Sequence, residues 1–275
     1  MTLSRRALVA GLIGTAGGCT PANLLNATVP REGFKRTEDI AYGPLQRHKL
    51  DLYQPDKPRA DGKTVIFFFG GAWDHGSRGE YVFLGQALAA QGTTVIIPSY
   101  GLFPEVRFPT FLEDAALAVR WSADRTGTGK LYVLGHSSGA HIAVMLAANT
   151  PYLAAAGVDR RKLPCVIGLS GPYDFPRPTQ RLQDIFGGAD RPETQPINFA
   201  KAPLPPVLLI HGAVDPKVEV GNSERLAAAW RAAGASVELK IYPGVNHTDV
   251  VSSFSELLRA RAPTLADVTA YIDAH

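Results

Sequence analysis

The sequence predicts an α/β domain built on a mostly parallel, eight-stranded sheet with helices on both faces. Three observations carry this expectation. Apolar runs at 64–69, 93–97, 130–134, 165–170, 206–211 and 236–242 alternate with helical stretches near 79–91, 110–123, 138–149, 220–234 and 262–273; strands that alternate with helices pair in parallel and are covered on both sides. Two further short runs, 40–42 and 50–53, flank a Gly-Pro turn and read as antiparallel opening strands. The chain has 275 residues, 45% of them hydrophobic, which suits one domain with a substantial core. No internal repeat interrupts the pattern.

Ahead of the opening strands the composition changes. Arg5 and Arg6 form a basic start, 7–16 is apolar but too short to span a bilayer, and Ala16-Gly17-Gly18-Cys19 follows. These are the proportions of an export signal, and small residues before a cysteine resemble a bacterial lipobox, although Ala16 stands where leucine is usual. Cys19 is therefore expected to be lipidated and to become the mature N-terminus. Ser4-Arg5-Arg6 also has the look of a twin-arginine signal. Segment 20–38 is polar and contains proline, and is expected to be a tether to a domain at 39–275.

Strand 64–69 runs into Gly70-Gly71-Ala72-Trp73. Glycines let such a loop approach a substrate closely, and the backbone N–H groups of Gly71 and Ala72 are expected to serve as oxyanion donors. Trp73, with Phe103 from the loop after the next strand, is a candidate pocket wall; ordinary rim packing is the alternative.

Strand 130–134 leads into Gly135-His136-Ser137-Ser138-Gly139, a G-x-S-x-G turn, and then the apolar helix near 138–149. A serine on a strand-to-helix turn lifts its Oγ off the sheet edge. The N–H of Ser138 then sits at a helix N-terminus, where developing negative charge is favoured. Ser137 is the expected nucleophile of an acyl-transfer reaction, Ser138 a further oxyanion donor, and His136 a pocket neighbour. His141 lies one turn further on and reads as a packing residue.

A nucleophile of this type needs an acid and a histidine, in that order along the chain. Strand 206–211 ends in His211-Gly212-Ala213-Val214-Asp215, and strand 236–242 passes through Pro243-Gly244 to Asn246-His247. Asp215 is the expected acid and His247 the expected base. Asp174, after the intervening strand, is a rival acid; Glu219 reads as a solvated helix start. His75 and His211 are expected at the pocket wall at most. Cys165 opens strand 165–170 as an inert core residue.

Together these motifs resemble α/β-hydrolase carboxylesterases, and most closely the group of small feruloyl and acetyl-xylan esterases and kynurenine-formamidase-like enzymes. The resemblance covers roughly 39–275 and implies a serine carboxylesterase that hydrolyses short-chain or small soluble esters through an acyl-enzyme, without cofactor or metal. Relatives usually carry a histidine before the Gly-Gly pair, where this chain has Phe69; the backbone donors survive that change, but the polar support of the loop does not. A formamidase-type amide hydrolase and a catalytically silent binding protein on the same fold are the alternatives. The insertion at 175–205 is rich in proline and glycine, with one short helical candidate at 181–186. It predicts a minimal cap and an open pocket. The net charge of +3 is dispersed in sign, so no nucleic-acid surface is expected, and contact with membrane only through an N-terminal lipid anchor.

Overall fold

A computed structural model of the chain describes residues 21–126, 130–177, 179–201 and 203–275. The signal segment and the lipid site expected at Cys19 lie outside the described residues. Eight strands form one sheet: β1 (Phe34–Ala41), β2 (Lys49–Pro55), β3 (Thr64–Phe68), β4 (Thr94–Pro98), β5 (Leu131–His136), β6 (Val166–Leu169), β7 (Val207–Gly212) and β8 (Val237–Tyr242). Their order is β1-β2-β4-β3-β5-β6-β7-β8. The pairs β1–β2 and β2–β4 are antiparallel and the others parallel. This is the expected α/β architecture.

Burial explains which strands were conspicuous as sequence. Every residue of β3, β5, β6 and β7 is buried, as in parallel strands covered on both faces, so each reads as an unbroken apolar run. The covering helices are α2 (Val82–Ala89), α3 (Thr110–Thr126), α4 (Ser138–Ala148), α7 (Gly221–Ala232) and α9 (Thr264–Ala274), joined by the short α5 (Pro151–Ala155), α6 (Gln180–Phe186) and α8 (His247–Ser252). Phe67, Phe68, Tyr132 and Trp230 are among the largest fully buried side chains. Burial also pushes the Cys165 thiol up to about 12, which makes it a core residue without thiolate character.

Chain direction across the sheet reverses between β3 and β5: β3 is followed in sequence by β4 on one side, and β5 lies on the other. A crevice opens at such a switch point, beyond the carboxyl ends of the strands. Here Phe68 pairs with Gly135 and His136 with Leu169, so the ends of β3, β5 and β6 are level. Gly139 keeps the crevice tight. A Cβ there would lie 2.0 Å from the Phe68 carbonyl oxygen, so α4 packs directly against the end of β3.

The N-terminal segment differs from expectation. Residues 20–38 are not a free tether, because α1 (Pro21–Ala27) and most of β1 fall within them. Leu25 is buried, Asn26 Nδ2 donates to the Gly79 carbonyl at 2.7 Å, and Phe83 N–H donates back to Asn26 Oδ1 at 3.2 Å. The domain boundary at 39 therefore falls inside a strand. β1 is an edge strand with one neighbour and a mixed burial pattern, which leaves it no clear apolar alternation to read.

Candidate active site

Ser137 sits at the sharp bend between β5 and α4 with φ 55° and ψ −123°, a conformation that costs of order 1–3 kcal/mol in a non-glycine residue. The glycines on either side make the bend feasible: a Cβ on Gly135 would lie 2.1 Å from the Gly139 carbonyl oxygen. The Ser137 carbonyl receives Ala140 N–H at 2.9 Å and His141 N–H at 3.1 Å. The N–H of Ser138 belongs to the first turn of α4, where donors have no partner within the helix.

The loop after β3 is strained in a complementary way. Gly71, Ala72 and Trp73 have φ of 145°, 47° and 62°. The turn is closed by Asp74 N–H and His75 N–H, both on the Gly71 carbonyl at 3.0 Å, so its closure draws on neither the Gly71 nor the Ala72 N–H. A Cβ on Gly70 would lie 3.0 Å from Ser137 Cβ, which shows how closely this loop approaches the bend. Phe69, in place of the usual histidine, stacks on Tyr100 with ring centroids 4.6 Å apart, and the Tyr100 hydroxyl donates to the Phe69 carbonyl at 2.7 Å. Ring packing and a tyrosine hydroxyl support the loop.

His247 is the first residue of α8, whose cap is Asn246; the Asn246 side chain accepts from Thr248 N–H at 2.9 Å and Asp249 N–H at 3.0 Å. His247 Nδ1 donates to Asp215 Oδ2 at 2.7 Å. In the neutral ring this bond puts the proton on Nδ1 and leaves Nε2 as a base. The Asp215 side chain is fully buried. Its Oδ1 accepts from Lys217 N–H at 2.8 Å and Val218 N–H at 3.0 Å. Burial pushes the Asp215 carboxyl up, but the bonds from His211, His247 and Val218 N–H outweigh it and hold the group well below the usual carboxylate range.

His211 is one of two residues that the sequence reading misplaces. It is wholly buried rather than at the pocket wall; Nε2 lies 2.9 Å from the Val218 carbonyl and 3.2 Å from Asp215 Oδ2, and Nδ1 lies 2.7 Å from Ser223 Oγ. It buttresses Asp215 from behind. The rival acid is engaged elsewhere: Asp174 Oδ2 pairs with Arg225 Nε at 2.6 Å, and its side chain is 42% exposed.

One cavity of about 590 Å³ brings most of the predicted residues together: Gly71, Ala72, Trp73, His136, Ser137, Ser138 and His247 line it. Phe103 does not. It packs against the core behind the loop, where its N–H donates to the Trp73 carbonyl at 2.8 Å and Arg107 lies over its ring. The sequence reading missed Tyr81, Phe175 and Leu182, which complete the apolar wall. Trp73 stacks on Phe175 at 5.5 Å and meets Phe186 edge-on at 4.8 Å, so the 175–205 insertion is a small flap anchored on the loop's own tryptophan. Arg181 of α6 makes an ion pair with Asp74 across the same junction.

Two other histidines are structural neighbours. His136 Nε2 donates to the His247 carbonyl at 3.1 Å, and burial, together with the adjacent His247, pushes its imidazole down to about 3. His141 donates to the Thr194 carbonyl at 2.8 Å and meets Trp73 edge-on; burial pushes it down to about 4. Among the described residues no cluster of His, Cys, Asp and Glu is arranged to hold a metal ion.

The BD-FAE family profile matches residues 50–230, from β2 to α7 and across the bend at Ser137. The chain belongs to the BD-FAE family. Its curated relatives include the probable isoprenylcysteine alpha-carbonyl methylesterase ICME of Oryza sativa subsp. japonica, 29% identical over 238 residues, 77% of this chain and 58% of that protein. They also include esterase LipC of Mycobacterium tuberculosis, 30% identical over 245 residues, 76% of this chain and 58% of the relative. The chain thus spans under three-fifths of the length of these relatives. Among solved structures, a truncated carbohydrate esterase from gut microbiota superposes with a TM-score of 0.75 at 20% identity, covering 90% of this chain and 98% of the other. At that identity the likeness speaks for the fold, which is the α/β-hydrolase fold.

Proposed function

We propose that this BD-FAE member is a serine carboxylesterase. His247 Nε2 takes the proton of Ser137 Oγ as the oxygen attacks the ester carbonyl, and the Gly71, Ala72 and Ser138 N–H groups hold the resulting oxyanion. Asp215 keeps His247 in its working tautomer and stabilises the imidazolium. Collapse of the tetrahedral intermediate breaks the bond to the alcohol oxygen, which leaves with the proton from His247. Water, with His247 again as base, then releases the acid and restores Ser137.

The observation that carries this reading is the 2.7 Å contact between buried Asp215 and His247, whose ring lines the same cavity as Ser137. The strained φ of Ser137 and of the Gly71–Ala72 turn supports it, as do the esterase names of the two curated relatives. A cavity of about 590 Å³ is of the size that takes a small-molecule ester.

Reaction with a fluorophosphonate probe, followed by rates on p-nitrophenyl acetate and on an N-formyl aryl amide, tests the assignment. Labelling of Ser137 with preferential ester turnover is expected. Faster amide turnover would make the chain a formamidase-type hydrolase, and absence of labelling would make it a silent member of the fold.

A further inference from the structure

The segment leading to Cys19 has a structural consequence for the cavity. α1 begins at Pro21, two residues after that cysteine, and is stapled to the domain through Asn26. Asn26 grips Gly79 and Phe83, on either side of Glu80 and Tyr81, which both line the cavity. The turn carrying them, Arg78–Tyr81, is fixed from its other side: Arg78 Nε donates to buried Asp51 at 2.8 Å, and Asp51 also binds Arg36 of β1 at 2.8 Å. The start of the described chain is thus bonded to the turn that supplies two of the cavity's lining residues.

Chain geometry gives the reach. Two residues extend at most about 7 Å, and five helical steps from Pro21 to Asn26 add about 8 Å. A lipid on Cys19 would lie about 15 Å of chain from Asn26, which holds the turn lining the cavity, whereas a fully extended 20–38 segment would span about 65 Å. Leu24 on α1 is 59% exposed, an apolar side chain on the element that would lie nearest the anchor.

We propose that the mouth of this cavity is held at the surface of a phospholipid bilayer by a short, stapled connection to acylated Cys19. The substrates it meets are then esters resident in that surface: one small half enters the cavity while the bulk of the molecule stays in the lipid. The proposal rests on the carboxylesterase reading of the cavity and on the lipobox-like Ala16-Gly17-Gly18-Cys19.

The full chain, expressed in a bacterial host and purified with its native N-terminus, is reconstituted in phosphatidylethanolamine–phosphatidylglycerol vesicles that carry dioleoylglycerol acetylated on its third hydroxyl. Acetate release is compared with hydrolysis of soluble p-nitrophenyl acetate. A Gly-Ser spacer of twenty residues placed between Thr20 and Pro21 adds a root-mean-square reach of about 25 Å. It should lower turnover of the vesicle ester several-fold and leave the soluble ester unchanged; Cys19→Ser should lower the vesicle rate further, again sparing the soluble rate. Equal vesicle rates with and without the spacer would overturn the proposal, as would a wild-type protein that takes up no label from a fatty-acid analogue. A wild-type protein inert on both esters would instead remove the carboxylesterase reading, and the proposal with it.

Discussion

The side chain of His136 donates to the backbone carbonyl of His247 at 3.1 Å, so the residue next to Ser137 in sequence fixes the residue proposed as its base. The two rings lie 4.8 Å apart, and the other nitrogen of His136 has no partner. Burial keeps His136 neutral, so its one ring proton sits on Nε2, in the bond to this carbonyl.

His136→Leu should therefore disturb the placement of His247. A displacement of about 1 Å at a reacting group can cost about 100-fold in rate. We expect kcat on p-nitrophenyl acetate to fall by about 10- to 100-fold with KM little changed, and His136→Gln, whose amide can donate to the same carbonyl, to restore most of the loss. An equal loss in both variants would show that the hydrogen bond is not what matters.

Ser137→Ala should leave the fold intact and remove turnover, with a loss in kcat of about 10⁶ by comparison with other serine hydrolases. Circular dichroism establishes folding and a sensitive ester assay the rate. Residual activity above a few per cent of wild type would mean that another group attacks the ester.

The two aspartates should separate cleanly. Asp215→Asn removes the acceptor that fixes the His247 tautomer and should cost about 10⁴ in kcat. Asp174→Asn alters a partly exposed pair with Arg225, where contributions are typically below about 1 kcal/mol, and should leave kcat nearly unchanged. The reverse ranking would move the acid to the loop after β6.

Stability should fall as the solution becomes acidic, before ordinary carboxylates titrate. His136 and His141 have folded values of about 3 and about 4, below the ordinary 6.5. Their contribution is complete above about 6.5; between there and about 4 the unfolded chain binds two protons that the folded chain does not, and stability is lost at about 1.4 kcal/mol per pH unit per group. The depressed Asp215 carboxyl acts in the same direction at still lower pH. Urea unfolding from pH 7 to 4.5 measures the slope, and His141→Gln should roughly halve it. A flat profile would mean that these rings are reached by water.

Acyl-chain selectivity should peak at roughly C2 to C6. Each further buried methylene is worth about 0.8 kcal/mol, so a deep apolar tunnel would reveal itself as kcat/KM rising steadily with length. A maximum at C12 or beyond would contradict the minimal cap read from the 175–205 insertion.

What was legible in the sequence follows from burial. Central strands covered on both faces write themselves as apolar runs, and the turns at their carboxyl ends carry Gly70-Gly71, Ser137, Asp215 and His247, whose residue types stand out against such runs. The edge strand Phe34–Ala41 is half exposed and carries Lys35, Arg36, Glu38 and Asp39, so only its end, from Ile40, reads as strand and 34–38 read as linker. Asn26 anchors α1 through one side-chain amide, which leaves no periodicity to detect. His211 looked like a wall residue because only the fold of the following turn brings Val218 and Ser223 around it. Phe103 was misplaced for the opposite reason: an aromatic after a strand is a fair pocket guess, but the backbone bond to Trp73 turns it behind the loop.

Cys165 lies buried just ahead of β6 and is the sole cysteine among the described residues, so no disulfide joins any two of them. Packing, hydrogen bonds and ion pairs such as Arg181–Asp74 hold the described residues together. Reducing agents should therefore leave the unfolding midpoint of a fragment that begins at Pro21 unaltered, as chemical denaturation with and without dithiothreitol would show.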